Sequence, residues 1–168
     1  LSYLHKQLIY HGNLCPSNII VDISKQCYLC DFQLYPIKKL YISNRDIADE
    51  VYREPSSLNR EPLFSDDIYS YGVLMCQLCF SFLQPSTNES LSDFIKKYDP
   101  NKFNNFHPFF KDLIPKCLNL SSRERPTFSK ILELFQNDQY GINRFFDTFK
   151  KLNYIEKLAN KNDPFALN

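Results

Sequence analysis

The chain has no excess of charge of either sign, little glycine and no long apolar run. Twenty basic and nineteen acidic residues leave a formal net charge of +1, so neither a nucleic acid nor a membrane surface is implied as a partner. LSYLHKQLIY at the start lacks a basic region followed by about 7–15 apolar residues, which argues against a signal peptide. The longest apolar segment, YGVLMCQLCFSFL over 71–83, is interrupted by Gln77. It falls short of the ~20 residues that a membrane span needs and reads as a buried helix. The only methionine is Met75 and the sequence opens on Leu1, so a fragment of a longer chain is expected. Glycine is scarce, and neither Cys27-x-x-Cys30 nor Cys76-x-x-Cys79 carries the glycines of a zinc knuckle. Strand alternation would also put Cys27 and Cys30 on opposite faces. Structural zinc is therefore not expected, and the six cysteines read as reduced thiols of a cytoplasmic protein, a nuclear location being equally compatible. No strained nucleophile elbow accompanies His5 or His107, so a hydrolase triad has no support.

What the chain has is a core. Hydrophobic residues make up 43% of it and aromatics 15%, and 168 residues suffice for one domain. Leu1, Leu4, Leu8 and Ile9 have the spacing of one helical face. His11 to Ser17 is loop-like, broken by Gly12, Asn13 and Pro16. NIIVD (18–22) and CYLCD (27–31) are strand-length runs joined by SKQ (24–26), which predicts a short hairpin. Residues 33–66 read as a long ordered loop. Asp67 to Leu83 is apolar nearly all round, as a core helix is, and Pro85 should end it. LSDFIKKY (91–98), PFFKDLIPKCLN (108–119) and TFSKILELFQ (127–136) are amphipathic, with Thr127 a candidate cap for the last.

Four motifs then occur in order: YLHKQLIYHGNLCPSNIIVD, CDFQ with its Asp thirteen residues after Asn18, SDDIYSYGVL, and SSRERPTF. Together they resemble the C-terminal lobe of a protein kinase over residues 1–137. The serine after the loop proline and the late R-P-T-F are most similar to the tyrosine-kinase-like group. The resemblance implies an α+β fold: a mainly helical C-lobe with a small β-hairpin bearing the catalytic and metal-binding loops. The N-lobe is expected to be absent from this chain, with its glycine-rich loop and nucleotide-contacting lysine.

Kinase chemistry asks this lobe for a carboxylate beside the substrate hydroxyl, ligands for magnesium and a cation for the moving phosphate. The family's H-R-D-x-K-P-x-N stands here as H-G-N-L-C-P-S-N. The resemblance puts Asn18 and Asp31 on the two metal-binding positions. Asn13 falls on the catalytic aspartate, and an amide takes no proton at neutral pH. Cys15 falls on the phosphate-contacting lysine, and Gly12 on the arginine that clamps a phosphorylated activation loop. Ile19, Ile20 and Val21 match the floor of the nucleotide pocket, and His11 and Phe32 match two members of a hydrophobic stack. Gln33 replaces the glycine of D-F-G, which suggests a loop held in one state.

In DEVYREPSSL, aligning Pro55 with the family proline puts Asp49 on a substrate-contacting threonine and Ser56 on a structural glutamate. Arg125 matches that glutamate's partner. Glu54 reads as a solvated loop charge, with takeover of the lost ion pair as the alternative. Asp67 matches the buried aspartate that holds the catalytic-loop backbone. Residues 138–168 lie outside the resemblance. They read as a C-terminal helical tail, in which KLANKNDPFALN resembles the opening of a tetratricopeptide-like repeat. The expectation is a pseudokinase acting through protein partners, with ATP and Mg²⁺ binding to the full-length parent and not tightly to this fragment. An ATP-dependent Ser/Thr- or Tyr-directed kinase of low activity is the alternative.

Overall fold

The computed structural model describes residues 1–32, 51–83 and 107–147. They form helix α1 (Ser2–Lys6), strands β1 (Ile19–Val21) and β2 (Cys27–Leu29), and helices α2 (Phe64–Leu83), α3 (Pro108–Cys117) and α4 (Phe128–Gln136). Single 3₁₀ turns at Pro16–Asn18, Pro55–Asn59, Ser122–Glu124 and Gln139–Gly141 link them, and residues 142–147 are helical again. The fold is the expected one, mostly helical with a two-stranded antiparallel hairpin. The segments 91–98 and 148–168, with Pro85, Gln33 and Asp49, lie outside the described residues.

The first helix is shorter than its apolar spacing predicts. It stops at Lys6, Leu8 enters the left-handed region at φ 58°, and the Ile9 N–H closes back on the Leu4 carbonyl at 2.9 Å. This reversal aims the following loop inward and leaves Leu8 79% exposed rather than in the core. The left-handed turn costs a non-glycine residue about 1–2 kcal/mol, which the packing of the loop beyond it must offset.

The central helix α2 starts at Phe64, three residues before the expected Asp67. Asp66 explains the early start. Its carboxylate accepts the Leu63 N–H at 2.8 Å while its own N–H reaches the Leu63 carbonyl at 2.9 Å, a reciprocal cap. Asp66 and Asp67 also place negative charge in the first turn, where the helix dipole favours it. From Asp66 to Cys76 nearly every side chain is buried. Gly72 sets the approach of α3: a Cβ there would lie 2.8 Å from Cys117 Cβ and 3.0 Å from a Leu118 methyl. Helix α3 begins with His107 Nδ1 accepting the Phe109 N–H at 3.3 Å and Pro108 in its first turn. Helix α4 is capped as expected, Thr127 Oγ1 accepting the Lys130 N–H at 3.2 Å.

Two apolar clusters share α2. One joins it to α3 and α4 through Ile68, Met75, Phe109, Ile114 and Phe128. The other joins it to the loop after α1 through Leu14, Cys15, Tyr52, Tyr69 and Val73. Burial in the first cluster pushes the Cys117 thiol and the Tyr71 hydroxyl up to about 12 each. The second cluster fastens the motif-bearing loop to the domain.

Candidate functional site

The loop at 11–18 is built around one carboxylate. Asp67, 1% exposed, accepts the His11 N–H at 2.7 Å, the Gly12 N–H at 2.8 Å and His5 Nε2 at 2.9 Å. Two consecutive backbone donors and a ring nitrogen converge on it. His5 is held in turn by edge contacts with Phe64 and Phe128, each 4.9 Å between centroids. The motif reading anticipated the backbone contacts but not His5, whose only sequence signal was its place at the end of a short helix.

Within the loop, the Asn13 N–H donates to His11 Nδ1 at 3.2 Å, which leaves the neutral ring's proton on Nε2. His11 is fully buried, and Nε2 has no partner meeting hydrogen-bond geometry. Burial lowers the His11 pKa, with the Asp67 charge opposing it first and the Cys30 backbone and Asp31 after it. Phe32 covers this ring at 4.6 Å between centroids, so the two stack members matched by the resemblance do meet. Asn18 Nδ2 donates to the Asn13 carbonyl at 2.7 Å, and the Cys30 N–H reaches the Asn18 carbonyl at 3.1 Å. Asn18 is thus tied to the loop on one side and to the second strand on the other. Asp31 follows directly in the left-handed region, at φ 59°. Such a conformation costs about 1 kcal/mol or more and occurs where a side chain has to be aimed.

The hairpin register pairs Ile19 with Leu29, Ile20 with Tyr28 and Val21 with Cys27. Alternation therefore separates the three residues matched to one floor. Ile19 packs against the core. Ile20 and its partner Tyr28 lie on the opposite face, 55% and 54% exposed. Val21 shares the face of Ile19 but reaches beyond the core, 58% exposed. Ile20 and Val21 are thus both open, on opposite faces of the hairpin, while Ile19 is held by the core.

The substituted positions are filled. Gly12 sits at φ +71°, and a Cβ there would lie 3.2 Å from the Tyr10 ring. Cys15 is 1% exposed within the Leu14, Tyr52 and Val73 cluster, its sulfur 3.1 Å from Ser17 Oγ. A cavity of about 20 Å³ lined by Gly12, Asn13, Cys15, Arg53 and Glu54 has room for about one water.

Glu54 corrects a sequence expectation. It is buried, 6% exposed, and does not lie in solvent. Its carboxylate meets Arg125 Nη2 at 3.4 Å and Arg60 Nη2 at 3.2 Å. Arg60 is in turn bidentate to Asp66, at 2.7 and 2.8 Å. Position 54 reaches these cations because the turn Pro55–Asn59 folds the chain back, a geometry that motif alignment does not encode. Arg60 lay outside the motifs, and Asp66, inside SDDIYSYGVL, had no role assigned to it.

Chemically, the arrangement offers an amide oxygen at Asn18 and a carboxylate at Asp31. Magnesium bound through one or two such groups fills its other positions with water and phosphate oxygens, so the donor set fits that ion. Asn18 fits it specifically, since its Nδ2 is engaged by the loop and its oxygen is left as an acceptor. Among the described residues no cluster of three or more His, Cys, Asp or Glu could hold a metal by itself. None of their helices is long and apolar enough to cross a membrane.

Taken together, a carboxylate-held catalytic loop, a hairpin and a central buried helix define a protein-kinase-type lobe. The family model of the protein kinase domain matches residues 1–135, and the chain belongs to that family. It is 30% identical to the dual specificity protein kinase zakA of Dictyostelium discoideum, over 96% of this chain and 23% of that protein. It is 31% identical to "Probable serine/threonine-protein kinase SIS8" of Arabidopsis thaliana, over 79% of this chain and 14% of that protein. A third relative, 25% identical over 86% of this chain and 13% of its own length, is named a probable inactive serine/threonine-protein kinase of Dictyostelium discoideum. The chain spans less than a quarter of the length of these relatives.

Proposed function

We propose that the chain is the C-lobe of a pseudokinase that works through protein–protein contacts in signalling, with Mg-ATP held by the full-length parent through Asn18 and Asp31. The observation that carries this reading is Asn13 in the slot of the catalytic base, beside the buried thiol of Cys15. An amide cannot accept the substrate proton, and losing a positioned general base costs about 10²–10⁴ in rate. A buried thiol supplies no charge for the transferring phosphate. The late R-P-T-F and Ser17 support placement in the tyrosine-kinase-like group, although two of the relatives are named as serine/threonine and dual-specificity kinases. The cytoplasm is the proposed location.

The second reading is a slow protein kinase that relies on positioning alone. The names of the kinase relatives and the Asn18–Asn13 bond, which fixes Asn18 in the loop, favour it. A single-turnover assay of the full-length protein with Mg-ATP and generic Ser/Thr and Tyr substrates separates the two. The pseudokinase reading expects no phosphoryl transfer above an Asp31→Ala control. Transfer that Asp31→Ala abolishes would refute it.

A further inference from the structure

The structure assigns to Glu54 the anchoring work that the family motif places at position 56: from two residues earlier, it positions segment 51–60 against the catalytic loop. Ser56 at the motif position is exposed, and its hydroxyl donates to Glu54 Oε2 at 2.5 Å. The serine thus braces the carboxylate that replaces its own missing one. Glu54 also folds the turn, its carbonyl accepting the Ser57 N–H at 2.9 Å and the Ser57 hydroxyl at 2.7 Å.

Charge balance makes Glu54 necessary. Arg125, with a 1% exposed side chain, donates to the carbonyls of Asn119 at 2.8 Å and Ser65 at 3.0 Å, and lies 5.1 Å above the Tyr69 ring. The two carbonyls engage two of its five N–H donors without neutralising it. The other carboxylate near it, Asp66, is 3.9 Å away and already bidentate to Arg60. Without Glu54, two arginines share one aspartate, and a buried cation left unpaired is strongly unfavourable. Glu54 also lines the cavity beside Asn13 and Cys15, so the pair fixes where 51–60 sits relative to that loop. This holds whether or not the protein transfers phosphate.

Hydrogen exchange on the intact protein tests the assignment, comparing wild type, Glu54→Ala, Glu54→Gln and Glu54→Ala/Ser56→Glu. Both single variants should speed exchange in 51–60 by at least about tenfold, the equivalent of about 1.4 kcal/mol of local stability. Amides at the C-terminal end of α4, which closes at Gln136, eleven positions beyond Arg125, should change much less. Adding Ser56→Glu should restore protection, because a carboxylate there starts from within hydrogen-bond reach of Glu54's own position. Should Glu54→Ala fail to fold, Glu54→Gln with and without Ser56→Glu makes the same comparison. Unchanged exchange in 51–60, loosening spread equally over α4, or no restoration by Ser56→Glu would each overturn the proposal.

Discussion

Replacing Asp67 with alanine should be among the most damaging single changes in the domain, although Asp67 occupies neither the base position nor a metal-binding position of the family. The carboxylate accepts the His11 and Gly12 N–H groups at 2.7 and 2.8 Å and His5 Nε2 at 2.9 Å. Removing it leaves the buried His11 N–H without its acceptor and the partly buried Gly12 N–H likewise. A hydrogen bond to a charged group contributes about 1.5–3 kcal/mol, and an orphaned buried donor costs about 1–3 kcal/mol. Two backbone donors therefore predict a loss of about 3–5 kcal/mol, a large part of the ~5–15 kcal/mol that holds a typical domain folded. Asp67→Asn should cost less, about 2–3 kcal/mol, since its amide oxygen keeps one N–H while its NH₂ faces the other. Urea unfolding of the two variants measures both values. A loss under about 1 kcal/mol for Asp67→Ala would refute the argument that this carboxylate organises the loop. A double-mutant cycle with His5→Ala separates the ring contribution, which the geometry expects to couple to Asp67.

Three further outcomes follow from the same contacts. Gly12→Arg, which restores the family residue, should destabilise by about 1–2 kcal/mol, because φ +71° is left-handed and Tyr10 fills the Cβ space; Tyr10→Ala should relieve only the steric part, as thermal unfolding of the double variant would show. Under native conditions at pH 8, peptide mapping after brief alkylation should find Cys27 labelled and Cys15, Cys76 and Cys117 protected, since only the first of these is exposed and Cys117 is pushed up to about 12. His11 and His107 are both held below the ordinary histidine value, mainly by burial. The unfolded chain then binds more protons as pH falls through about 6.5, so stability is full above that value and declines below it. The urea midpoint should drop between pH 7.5 and 5.5, and His11→Gln should flatten that drop.

Elements whose residues speak locally were readable from sequence. The hairpin followed from two strand-length runs, β-branched or apolar, around SKQ, and Thr127 capped α4 because a hydroxyl before an amphipathic run has one good use there. Asp67 was placed by its motif. What escaped was set by tertiary geometry. The apolar spacing of 1–9 ignored the reversal at Leu8. The aligned floor residues ignored strand alternation, which turns Ile20 out and Ile19 in. Glu54 looked solvated because a charge two residues out of register has no partner in a linear alignment. Its partners lie six and seventy-one positions away and are brought to it by folding. Loop charges are read correctly only when the reach of the side chain is known.

The positions that depart from the kinase pattern and those that keep it differ in what holds them. The side chains of Asn18 and His11 are engaged by backbone, Asn18 on the Asn13 carbonyl and His11 through Nδ1, which accepts the Asn13 N–H. Changing them unfastens the loop whether or not any phosphate is moved. Base and lysine serve the reacting groups and the clamping arginine a phosphorylated loop, so the fold tolerates their loss. Here it goes beyond tolerance. Cys15 is part of an apolar cluster, and the Tyr10 ring lies 3.2 Å from where a Cβ at position 12 would sit. A lysine at 15 would now have to carry its charge out of a site that is 1% exposed, and an ammonium left there unpaired would cost several kcal/mol. Reversing Asn13 alone would return a carboxylate to the loop without the cation or the arginine that accompany it. Restoring the three family residues therefore involves repacking around Tyr10 and the Leu14–Cys15 cluster as well as three side-chain replacements, which is why single reversions are expected to lose stability.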